Sequence, residues 1–568
     1  MPVAPDTATD LPILSLEDIA YLIAGGLDAE NGFAPARYDL SEDRTLTYDL
    51  SDLTAAEARV ARVAMNAWTQ VTGIRFVEEA MRPLPETETI LETTDIPRGP
   101  HGTVQLKVNQ TLQGETQIQG RDWIGIELET GKSYVFDLQP GPGADASEMP
   151  WFRLISPEGK AVVGTATGLA AEGRSVIPFT PETSGFYYLS PEKFDALASG
   201  SYRVSAYEGD YLPDFVFVND GSGQAFATNV ERAGTIDFAT IVISSDWVTS
   251  TPNLNSYWLN TYIHEIGHVL GLSHPGNYNG TVDFETEAVF RNDSNINSIM
   301  SYLSGDMNPY LPVVDGVVMT PMPADILAAQ LLYGSDVDLR PGDTTYGANS
   351  NVGGYLGRMF AARFDGADVP NTVWKGNPML YAIYDTGGID TLDYSPVRAD
   401  QVISLRQGTV SITAGAKAPN MAIAQDTIIE NAIGGRGNDV IQGNAAANRL
   451  QGRAGDDQLI GGKGQDTLHG GAGDDVLSGG AGHDLLRGGM GADVFHFTRG
   501  HDVIADFTAA MDGVVLAAER WAGLDTTTLL DSAELTAGGL VLWLAPQSSL
   551  TFRGLSDASA LVDSLLIG

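Results

Sequence analysis

Residues 264–274 read HEIGHVLGLSH, and the rest of the chain is best understood from this stretch. His264 and His268 stand four residues apart, so on a helix they share one face and can bind one ion together. Glu265 lies beside them as the candidate general base for a metal-activated water. Gly271 can take the left-handed conformation that ends a helix, and the reversed chain then brings in His274 as a third ligand. Three protein ligands leave one position open, which is the arrangement of a catalytic zinc site.

The alternative is an amphipathic core helix with incidental histidines. Three of the eight histidines of the chain fall inside this one stretch, each at a position that the extended HExxHxxGxxH pattern requires. The pattern therefore favours the metal site over the packed helix.

A methionine follows the zinc pattern at a short interval. Residues 298–302 read SIMSY, so Met300 lies in a tight turn and could form a hydrophobic floor under the metal. In this position it resembles the Met-turn of the metzincin clan. Pro275 and the GNYNG run at 276–280 resemble the serralysin family within that clan.

The resemblance implies a zinc metalloendopeptidase that acts on protein or peptide substrates. One zinc ion would be held by His264, His268 and His274, with Tyr302 as a further ligand. Glu265 would be the catalytic base, and Tyr302 could move from the metal to donate a hydrogen bond during catalysis.

The composition is strongly acidic and lacks cysteine. Lys and Arg total 32 against 73 Asp and Glu, a formal net charge of −41, which argues against nucleic acid or an anionic membrane as a partner and suggests cations instead. The absence of cysteine excludes disulfides and any thiol that could mask the zinc. No apolar run is long enough to span a membrane, and we expect a monomer.

The order of elements predicts an α+β metzincin catalytic domain that is interrupted by an insertion. A strand at 45–50, a helix at 54–72 and a strand at 73–79 suit its upper lobe. The pattern resumes at 214, the zinc-motif helix begins near Leu259, and a helix at 323–334 closes the lower lobe. We assign residues 31–84 and 211–335 to this domain. By resemblance, residues 225–230 form the edge strand that holds an extended substrate.

Two segments flank or interrupt the catalytic domain. Residues 1–30 include a short helix with a serine cap and are either a propeptide or the first protease segment. Residues 85–210 lack a helical period and contain short strand-like runs, which predicts an inserted β-sandwich. The segment resembles the bacterial pre-peptidase C-terminal domain at the residues Asp122, Trp123, Gly131, Tyr134, Ser184, Gly185, Tyr187 and Tyr188. Its role is either substrate or matrix binding through exposed aromatics or passive stabilisation.

Residues 434–497 repeat with a period of nine. Asp439, Asp457, Asp466, Asp475, Asp484 and Asp493 keep one register, Asn448 fills the missing place, and an apolar residue follows each of them two positions on. A flexible Gly-rich linker does not explain that apolar period. The pattern predicts an RTX parallel β-roll over 336–497 that binds several structural Ca²⁺ ions. Besides the aspartates, the predicted ligands in the repeats are Gly435, Gly437, Gly452, Ala454, Gly462, Gly464, Gly471, Gly473, Gly480 and Gly482. The repeat at 443–451 lacks the glycine pairs and should bind calcium poorly.

Segments ahead of the repeats resemble the serralysin segments that hold further calcium. The ligands implied by this resemblance are Arg340, Gly342, Thr344, Asp385, Gly387, Gly388, Asp390 and Glu430.

The chain shows no classical N-terminal signal peptide, which by itself favours the cytosol. The acidic and apolar tail at 498–568, following the repeats, resembles the uncleaved C-terminal signal read by type I secretion machinery. We therefore predict a secreted, extracellular enzyme. The alternative is a calcium-dependent secreted binding or adhesion protein on a protease-like scaffold. Glu265 favours the enzyme, because a scaffold kept only for binding needs no base beside its metal ligands.

Overall fold

The computed structural model describes most of the chain. The described residues are 11–25, 36–41, 43–93, 96, 104–116, 122–142, 151–163, 168–169, 174–192, 200–219, 221, 223–244, 252–276, 278, 280, 282–305, 307–311, 314–335, 338–521 and 523–567. Residues 1–10 and 26–35 of the N-terminal segment, and residues 277 and 279 of the GNYNG run, lie outside them.

The first helix, α1 (Leu16–Ile23), begins where its sequence caps it. The Ser15 hydroxyl accepts a hydrogen bond from the Asp18 N–H, and the Asp18 carboxylate accepts one from the Ser15 N–H. This capping box satisfies two backbone donors at the helix start. Ile19 and Ile23 on its apolar face are buried in the main core, so α1 is part of the packed body.

The predicted strand, helix and strand that follow are all present. They are β1 (Thr45–Asp49), α2 (Ala55–Thr72) and β2 (Arg75–Glu78). A capping box at Thr54 begins α2, and Gly73, with a left-handed φ of 69°, ends it. β1 and β2 pair in parallel.

Residues 88–208 form two sheets. A six-stranded sheet has the order β3-β4-β12-β6-β10-β9, and a four-stranded sheet has the order β5-β11-β7-β8. Their apolar faces share one core, which includes Leu112, Phe136 and Val204 from the first sheet and Ile126 and Leu189 from the second. The ten strands are β3 (Glu88–Leu91), β4 (Gln110–Thr116), β5 (Ile124–Leu128), β6 (Tyr134–Pro140), β7 (Trp151–Ile155), β8 (Ala161–Val163), β9 (Gly168–Leu169), β10 (Arg174–Phe179), β11 (Gly185–Glu192) and β12 (Gly200–Glu208).

A five-stranded sheet then completes the upper lobe of the catalytic region. Its strand order is β14-β15-β13-β1-β2, and only the edge strand β14 runs antiparallel to its neighbour. The new strands and the helices and strand that follow are β13 (Phe215–Val218), β14 (Ala225–Arg232), β15 (Thr235–Ile243), α3 (Tyr257–Val269), α4 (Phe284–Glu287), β16 (Val317–Val318) and α5 (Pro323–Tyr333). α3 and α5 correspond to the predicted helices near 259 and at 323–334.

The C-terminal part is a long ladder of short strands. β17 (Thr345–Gly347) and α6 (Gly354–Phe364) lead into it. Over residues 431–497 each strand pairs in parallel with the strand two places further along, so that Leu450 lies opposite Leu468 and Leu459 opposite Leu477. The nine-residue period therefore alternates between two faces, and its apolar residues fill the axis between them.

The strands and short helices of this part continue past residue 497. They are β18 (Met379–Ile383), β19 (Thr391–Asp393), β20 (Val402–Ser404), β21 (Val410–Ser411), β22 (Met421–Ile423), β23 (Asn431–Ile433), β24 (Val440–Gln442), β25 (Arg449–Ala454), β26 (Gln458–Gly464), β27 (Thr467–Ala472), β28 (Val476–Gly482), β29 (Leu485–Met490), β30 (Val494–Phe497), β31 (Arg499–Ile504), β32 (Gly513–Leu516), α7 (Ala518–Trp521), α8 (Thr526–Asp531), β33 (Glu534–Thr536), β34 (Gly539–Ala545), β35 (Ser548–Phe552), a 3-10 helix at Ala558–Leu561 and β36 (Leu565–Ile567). β35 and β36 add in parallel to β31 and β32, so the tail extends the same ladder. A membrane-crossing helix is not found in the part of the chain that the structure describes.

Candidate active site

The zinc-motif helix is fixed deep in the catalytic core. The Trp68 indole of α2 donates from Nε1 to the Ile263 carbonyl at 2.9 Å. His264 and Glu265 are 8% and 5% exposed, so the motif lies in a region of low dielectric constant. This burial makes every charge on these side chains costly unless it is paired.

The chain reverses after α3 as the sequence predicts. Gly271 has a φ of +86°, and a Cβ at this position would lie 2.0 Å from the Ala36 carbonyl oxygen. Only glycine satisfies both the left-handed conformation and the close approach. The reversal brings His274 back against the two helix histidines.

Three imidazoles converge through the same atom. Nε2 of His274 lies 3.1 Å from Nε2 of His264 and 3.1 Å from Nε2 of His268. Because a carbonyl oxygen only accepts, each Nδ1 that faces one carries the proton, and each Nε2 turns a bare lone pair inward. Three lone pairs at this spacing repel one another unless a cation lies between them, so the arrangement fits a metal ion. The three Nδ1 contacts are His264 to Ile299 at 2.8 Å, His268 to Leu272 at 2.7 Å and His274 to Tyr278 at 2.9 Å.

Burial sets the protonation of these rings. It lowers the pKa of His264 well below its usual value, and the neighbouring His268 and His274 lower it further. Burial also lowers the pKa of His268, and burial with the adjacent His268 lowers that of His274 to about 3. Neutral imidazole is the form that binds a metal.

Glu265 is the buried carboxylate beside this cluster. Burial raises its pKa to about 8, although a hydrogen bond from the Ala227 N–H opposes the shift. Its Oε2 atom has no hydrogen-bond partner among the residues that the structure describes. A buried acceptor without a partner is costly, and a water molecule at the metal would satisfy it.

Tyr302 lies over the histidine cluster. Its ring centroid is 4.5 Å from that of His274 and 5.4 Å from that of His264. Burial raises the pKa of Tyr302 to about 12, and the Glu265 carboxylate adds to the shift, so its hydroxyl stays a donor. The resemblance implied Tyr302 as a further zinc ligand, and the structure places its ring against two of the three histidines.

Met300 forms the floor under the helix histidines, as its place in the turn predicts. It is fully buried, and a Cβ on Gly267 would lie only 2.7 Å from its Sδ atom. Gly267 therefore has to be a glycine so that the methionine can approach the helix between His264 and His268. Sequence analysis did not single out Gly267, although it occupies one of the unspecified positions of the motif.

Two buried aspartates that sequence analysis missed hold the surrounding loops. Asp325 at the start of α5 accepts hydrogen bonds from the Ser298 hydroxyl at 2.6 Å and from the Ile299 N–H at 2.7 Å. Asp293 accepts from the Ser301 hydroxyl at 2.6 Å. Burial raises the pKa of both carboxyls to about 6. No local pattern marks these residues, because their partners are distant in the chain or lie in irregular loops.

The edge strand β14 touches the zinc motif directly. Its Ala227 N–H donates to Glu265, and the Asn229 side-chain amide donates to the His268 carbonyl at 2.9 Å. Among the described residues β14 pairs with β15 alone, so it forms an edge of its sheet.

The residues predicted to hold calcium ahead of the repeats come together in space. The Thr344 N–H donates to Asp390 Oδ1 at 2.7 Å, and the Asp390 N–H donates to Glu430 Oε2 at 2.7 Å. A Cβ on Gly388 would lie 2.6 Å from the Gly342 carbonyl oxygen, so the two loops touch. Gly387 belongs to the second of these loops, where its N–H donates to Asp385.

This cluster has spare oxygen atoms for a hard cation. Asp390 Oδ2 is buried without a hydrogen-bond partner in the described part of the chain, and burial with the nearby Asp385 raises its pKa to about 7. Carboxylate and carbonyl oxygens are the ligands that Ca²⁺ prefers. The Arg340 side chain has no oxygen atom, and its guanidinium donates to the Tyr384 carbonyl and to Gln70, so only its backbone carbonyl could serve as a ligand.

The aspartates of the repeats stack as two buried columns. In one column the Asp439 N–H donates to Asp457, the Asp457 N–H to Asp475 and the Asp475 N–H to Asp493. In the other the Asp466 N–H donates to Asp484. The second carboxylate oxygens of Asp457, Asp466, Asp475 and Asp484 are buried and without partners among described residues.

The glycines proposed from the sequence as ligands lie beside these columns, either in the loops between strands or in the C-terminal halves of the strands. Gly462, Gly464, Gly471, Gly473 and Gly480 have φ values between 100° and 132°, and the Gly435 N–H donates to Asp439. Of the other proposed ligands, Gly437 lies in the loop between β23 and β24, Gly452 and Ala454 belong to β25, and Gly482 ends β28. Asn448 replaces an aspartate, and its side-chain amide donates to the Glu430 backbone carbonyl, so this position of the column carries no charge.

Asp502 is a further member of the second column that sequence analysis missed. The Asp484 N–H donates to its Oδ1 at 3.1 Å, and its Oδ2 is buried without a partner in the described residues. Burial raises its pKa to about 8, with a further contribution from Asp484. The sequence does mark Asp502, because it lies nine residues after Asp493 in the same register. The glycine pair that precedes the aspartate in most of the other repeats is absent there.

A helix that presents three converging imidazoles and a buried carboxylate, with a methionine turn beneath it, defines a metallopeptidase of the metzincin type. Residues 217–316 match the family model described as "Metallo-peptidase family M12B Reprolysin-like", and residues 335–522 match "Peptidase M10 serralysin C terminal".

Curated relatives agree with these two models. Metallopeptidase AprA of Pseudomonas marginalis is 37% identical over 271 residues, which cover 46% of this chain and 54% of the relative. Serralysin of Proteus mirabilis is 36% identical, over 42% of this chain and 43% of its own. Serralysin G of Dickeya chrysanthemi is 40% identical, over 35% of this chain and 39% of its own. Over these matched segments the chain is similar to the serralysins.

The matched parts span about half or less of those relatives, so the activity of the whole chain remains a proposal. Among solved structures, the pre-peptidase C-terminal domain of collagenase from Bacillus anthracis matches with 16% identity over 22% of this chain and 99% of its own. Its TM-score of 0.15 is too low to establish a shared fold.

Proposed function

We propose that the chain is a secreted zinc-dependent endopeptidase that hydrolyses extracellular protein substrates. The observation that carries the proposal is the convergence of three bare Nε2 atoms beside the unpartnered Oε2 of Glu265. His264, His268 and His274 would hold the ion, and Tyr302 stands within ring contact of two of them.

The side chains around the ion have distinct roles in peptide hydrolysis. A zinc ion held there supplies Lewis-acid polarisation of the scissile carbonyl and lowers the pKa of a water molecule. Glu265 takes the proton of the attacking water and passes it to the departing amine. The Tyr302 hydroxyl donates a hydrogen bond as negative charge builds on the carbonyl oxygen. β14 holds the substrate as an added strand through main-chain hydrogen bonds.

Calcium would lock the C-terminal ladder in its folded form. The buried carboxylate oxygens of the two aspartate columns and of Asp390 that lack partners among the described residues support this proposal, because each needs a cation or a proton to offset its burial. The extended register makes Asp502 an additional ligand. The tail after residue 497 would carry the signal for type I secretion, and the two-sheet unit at 88–208 would be a pre-peptidase C-terminal-like β-sandwich inserted in the catalytic domain.

Cleavage of casein by the purified protein, with and without a zinc chelator, tests the enzyme against the binding-protein alternative. We expect cleavage that the chelator abolishes and added zinc restores. A protein that binds zinc stoichiometrically, remains folded in calcium and leaves casein and a panel of peptides intact would favour the calcium-dependent binding protein.

A further inference from the structure

The two-sheet unit at 88–208 covers the face of the five-stranded sheet that is turned away from the zinc helix. Phe217 and Ile241 point into the core that contains α3, whereas Val218, Phe238 and Val242 point into the core of the two-sheet unit. Consecutive residues of a strand face opposite sides of the sheet, so β13 and β15 are covered on both faces. The unit therefore forms a layer of the catalytic lobe.

The side chains of the edge strand β14 also alternate between the same two cores. Ala225 and Ala227 pack against the core on the zinc-helix side. Phe226 and Val230 pack into the core of the two-sheet unit, and Val230 is fully buried there. The strand that would pair with a substrate thus has its rear face seated on the insertion.

Arg232, at the end of β14, links the strand to the two-sheet unit. Its guanidinium donates to the Thr180 carbonyl at 3.3 Å and lies 5.6 Å from the centre of the Phe179 ring. Its Nε atom is 3.1 Å from Asp237 of β15, and Glu182 of the insertion lies 3.7 Å from the same side chain. Arg232 is 22% exposed, so these contacts are partly shielded from solvent.

The opposite side of the same strand contacts the catalytic machinery. The Ala227 N–H donates to Glu265, and Asn229 donates to the carbonyl of His268. One strand therefore separates the insertion from the base and from a zinc ligand. A displacement of β14 changes the line along which a substrate strand can pair.

We propose that the two-sheet unit is a positioning platform for the substrate strand, and that Phe226, Val230 and Arg232 are positioning residues that set the affinity for extended peptides. This inference rests on the proposed peptidase function. None of the three residues is among the metal ligands or contacts Glu265, so they act through β14. Binding of an extended peptide depends on pairing along the whole of β14, whereas binding of a minimal peptide that spans only the scissile bond does not.

The experiment compares Val230→Ala and Arg232→Ala with wild type in the full-length zinc- and calcium-loaded protein. For an extended peptide we expect KM to rise about tenfold, which corresponds to 1.4 kcal/mol, with kcat unchanged. For a minimal peptide both constants should stay at the wild-type value. Val230→Ile should retain the wild-type KM, and Arg358→Ala, an exposed arginine on α6, serves as the matched control. Equal changes for both peptides, or no change for either, would overturn the proposal.

Hydrogen exchange of the β14 amides separates this proposal from the peptidase proposal. In Arg232→Ala we expect faster exchange along 225–232, with α3 unchanged and full zinc content. If wild type cleaves no peptide, the peptidase proposal fails while this measurement still decides whether the insertion orders β14. Unchanged exchange in β14 of both alanine variants would refute the platform. If a variant loses zinc or unfolds, the residue is a general stability element and the platform is likewise refuted.

Discussion

Glu265 combines deep burial with a carboxylate oxygen that lacks a partner in the described residues, and that combination is costly for a residue with only a packing role. The Glu265→Gln variant keeps the size of the side chain and the three imidazoles. We expect full zinc content and a fall in kcat/KM of about 10²- to 10⁴-fold, the range for loss of a general base. Zinc analysis and peptide kinetics check this. Glu285→Gln on the exposed side of α4 should be neutral, and near-normal turnover in Glu265→Gln would contradict the mechanism.

Gly267 is a second residue whose identity the site dictates. An alanine there gains about 1 kcal/mol in helix propensity, but its Cβ would lie 2.7 Å from Met300 Sδ and 3.2 Å from Trp68, and overpacking costs about 1–3 kcal/mol. We expect the overpacking cost to exceed the gain in helix propensity, so Gly267→Ala should lower the free energy of unfolding by up to about 2 kcal/mol. Denaturation in saturating zinc measures it. Gly523→Ala, which meets nothing within 4 Å, should change stability by less than about 0.5 kcal/mol.

Hydrogen bonds join the methionine turn at 298–302 and the start of α5 into one unit. Asp325 accepts from the N–H groups of Ile299 and Met322 and from the Ser298 hydroxyl, and it is fully buried. An asparagine has a single acceptor oxygen, so Asp325→Asn leaves at least one buried donor unpaired. We expect a loss of about 1–3 kcal/mol in the free energy of unfolding.

Thermal unfolding with zinc and calcium present measures this loss, and Asp531→Asn on exposed α8 is the control. Because Ile299 also binds the Nδ1–H of His264, the variant should bind zinc more weakly than the control. Wild-type stability in Asp325→Asn would show that the turn is held by packing alone.

The added turn at 497–502 is a second element whose role can be tested. Its Asp502 extends the buried column that contains Asp466 and Asp484. Asp502→Asn removes one carboxylate charge at the end of that column, so we expect one high-affinity calcium fewer by calorimetric titration of the full chain. Asp563→Asn, in the tail, should leave the stoichiometry unchanged. Equal stoichiometry in both variants would exclude Asp502 as a ligand.

For the whole molecule, we expect the aspartate columns to couple cation binding to folding. Without a cation, the buried carboxylates repel one another, and their second oxygens lack partners in the part of the chain that the structure describes, so the compact ladder is destabilised. We expect the full-length protein in a calcium-selective chelator to lose part of its β signal in circular dichroism. Calcium at about 10⁻⁴–10⁻³ M should restore the signal, since an ion that binds only the folded form stabilises it. Magnesium at the same concentration is the control, and a complete β signal in excess chelator would contradict the coupling.

A further prediction for the whole molecule concerns the two-sheet unit at 88–208. Removing residues 86–209 would expose Val216, Val218, Val230, Phe238 and Val242 on the rear of the five-stranded sheet. Exposing five apolar side chains costs on the order of 10 kcal/mol, comparable to the whole stability of a domain. We expect a deletion with a short linker to be insoluble or unfolded, as measured by zinc content and circular dichroism. A soluble, zinc-loaded deletion would show that the layer is dispensable.

The sequence by itself determines those features that follow from the spacing of residues close together in the chain. The interval of four between His264 and His268 fixes a shared helix face, and Gly271 permits the turn that returns His274. The nine-residue period fixes a ladder in which aspartates and apolar residues alternate between the turns and the axis. These patterns depend on backbone geometry over a few residues, so one chain read alone reveals them.

Contacts between distant segments were decided only by the tertiary structure. Nothing near Asp325, Asn229 or Arg232 in the sequence shows that they face the methionine turn, the zinc helix and the insertion. The sequence likewise predicts strands in the two-sheet unit but does not show which surface the unit covers. The apolar residues of β13 and β15 could be buried by any apolar layer. Which partner lies there depends on the free energy of packing the whole chain, in which burial of one apolar face against another outweighs any local preference.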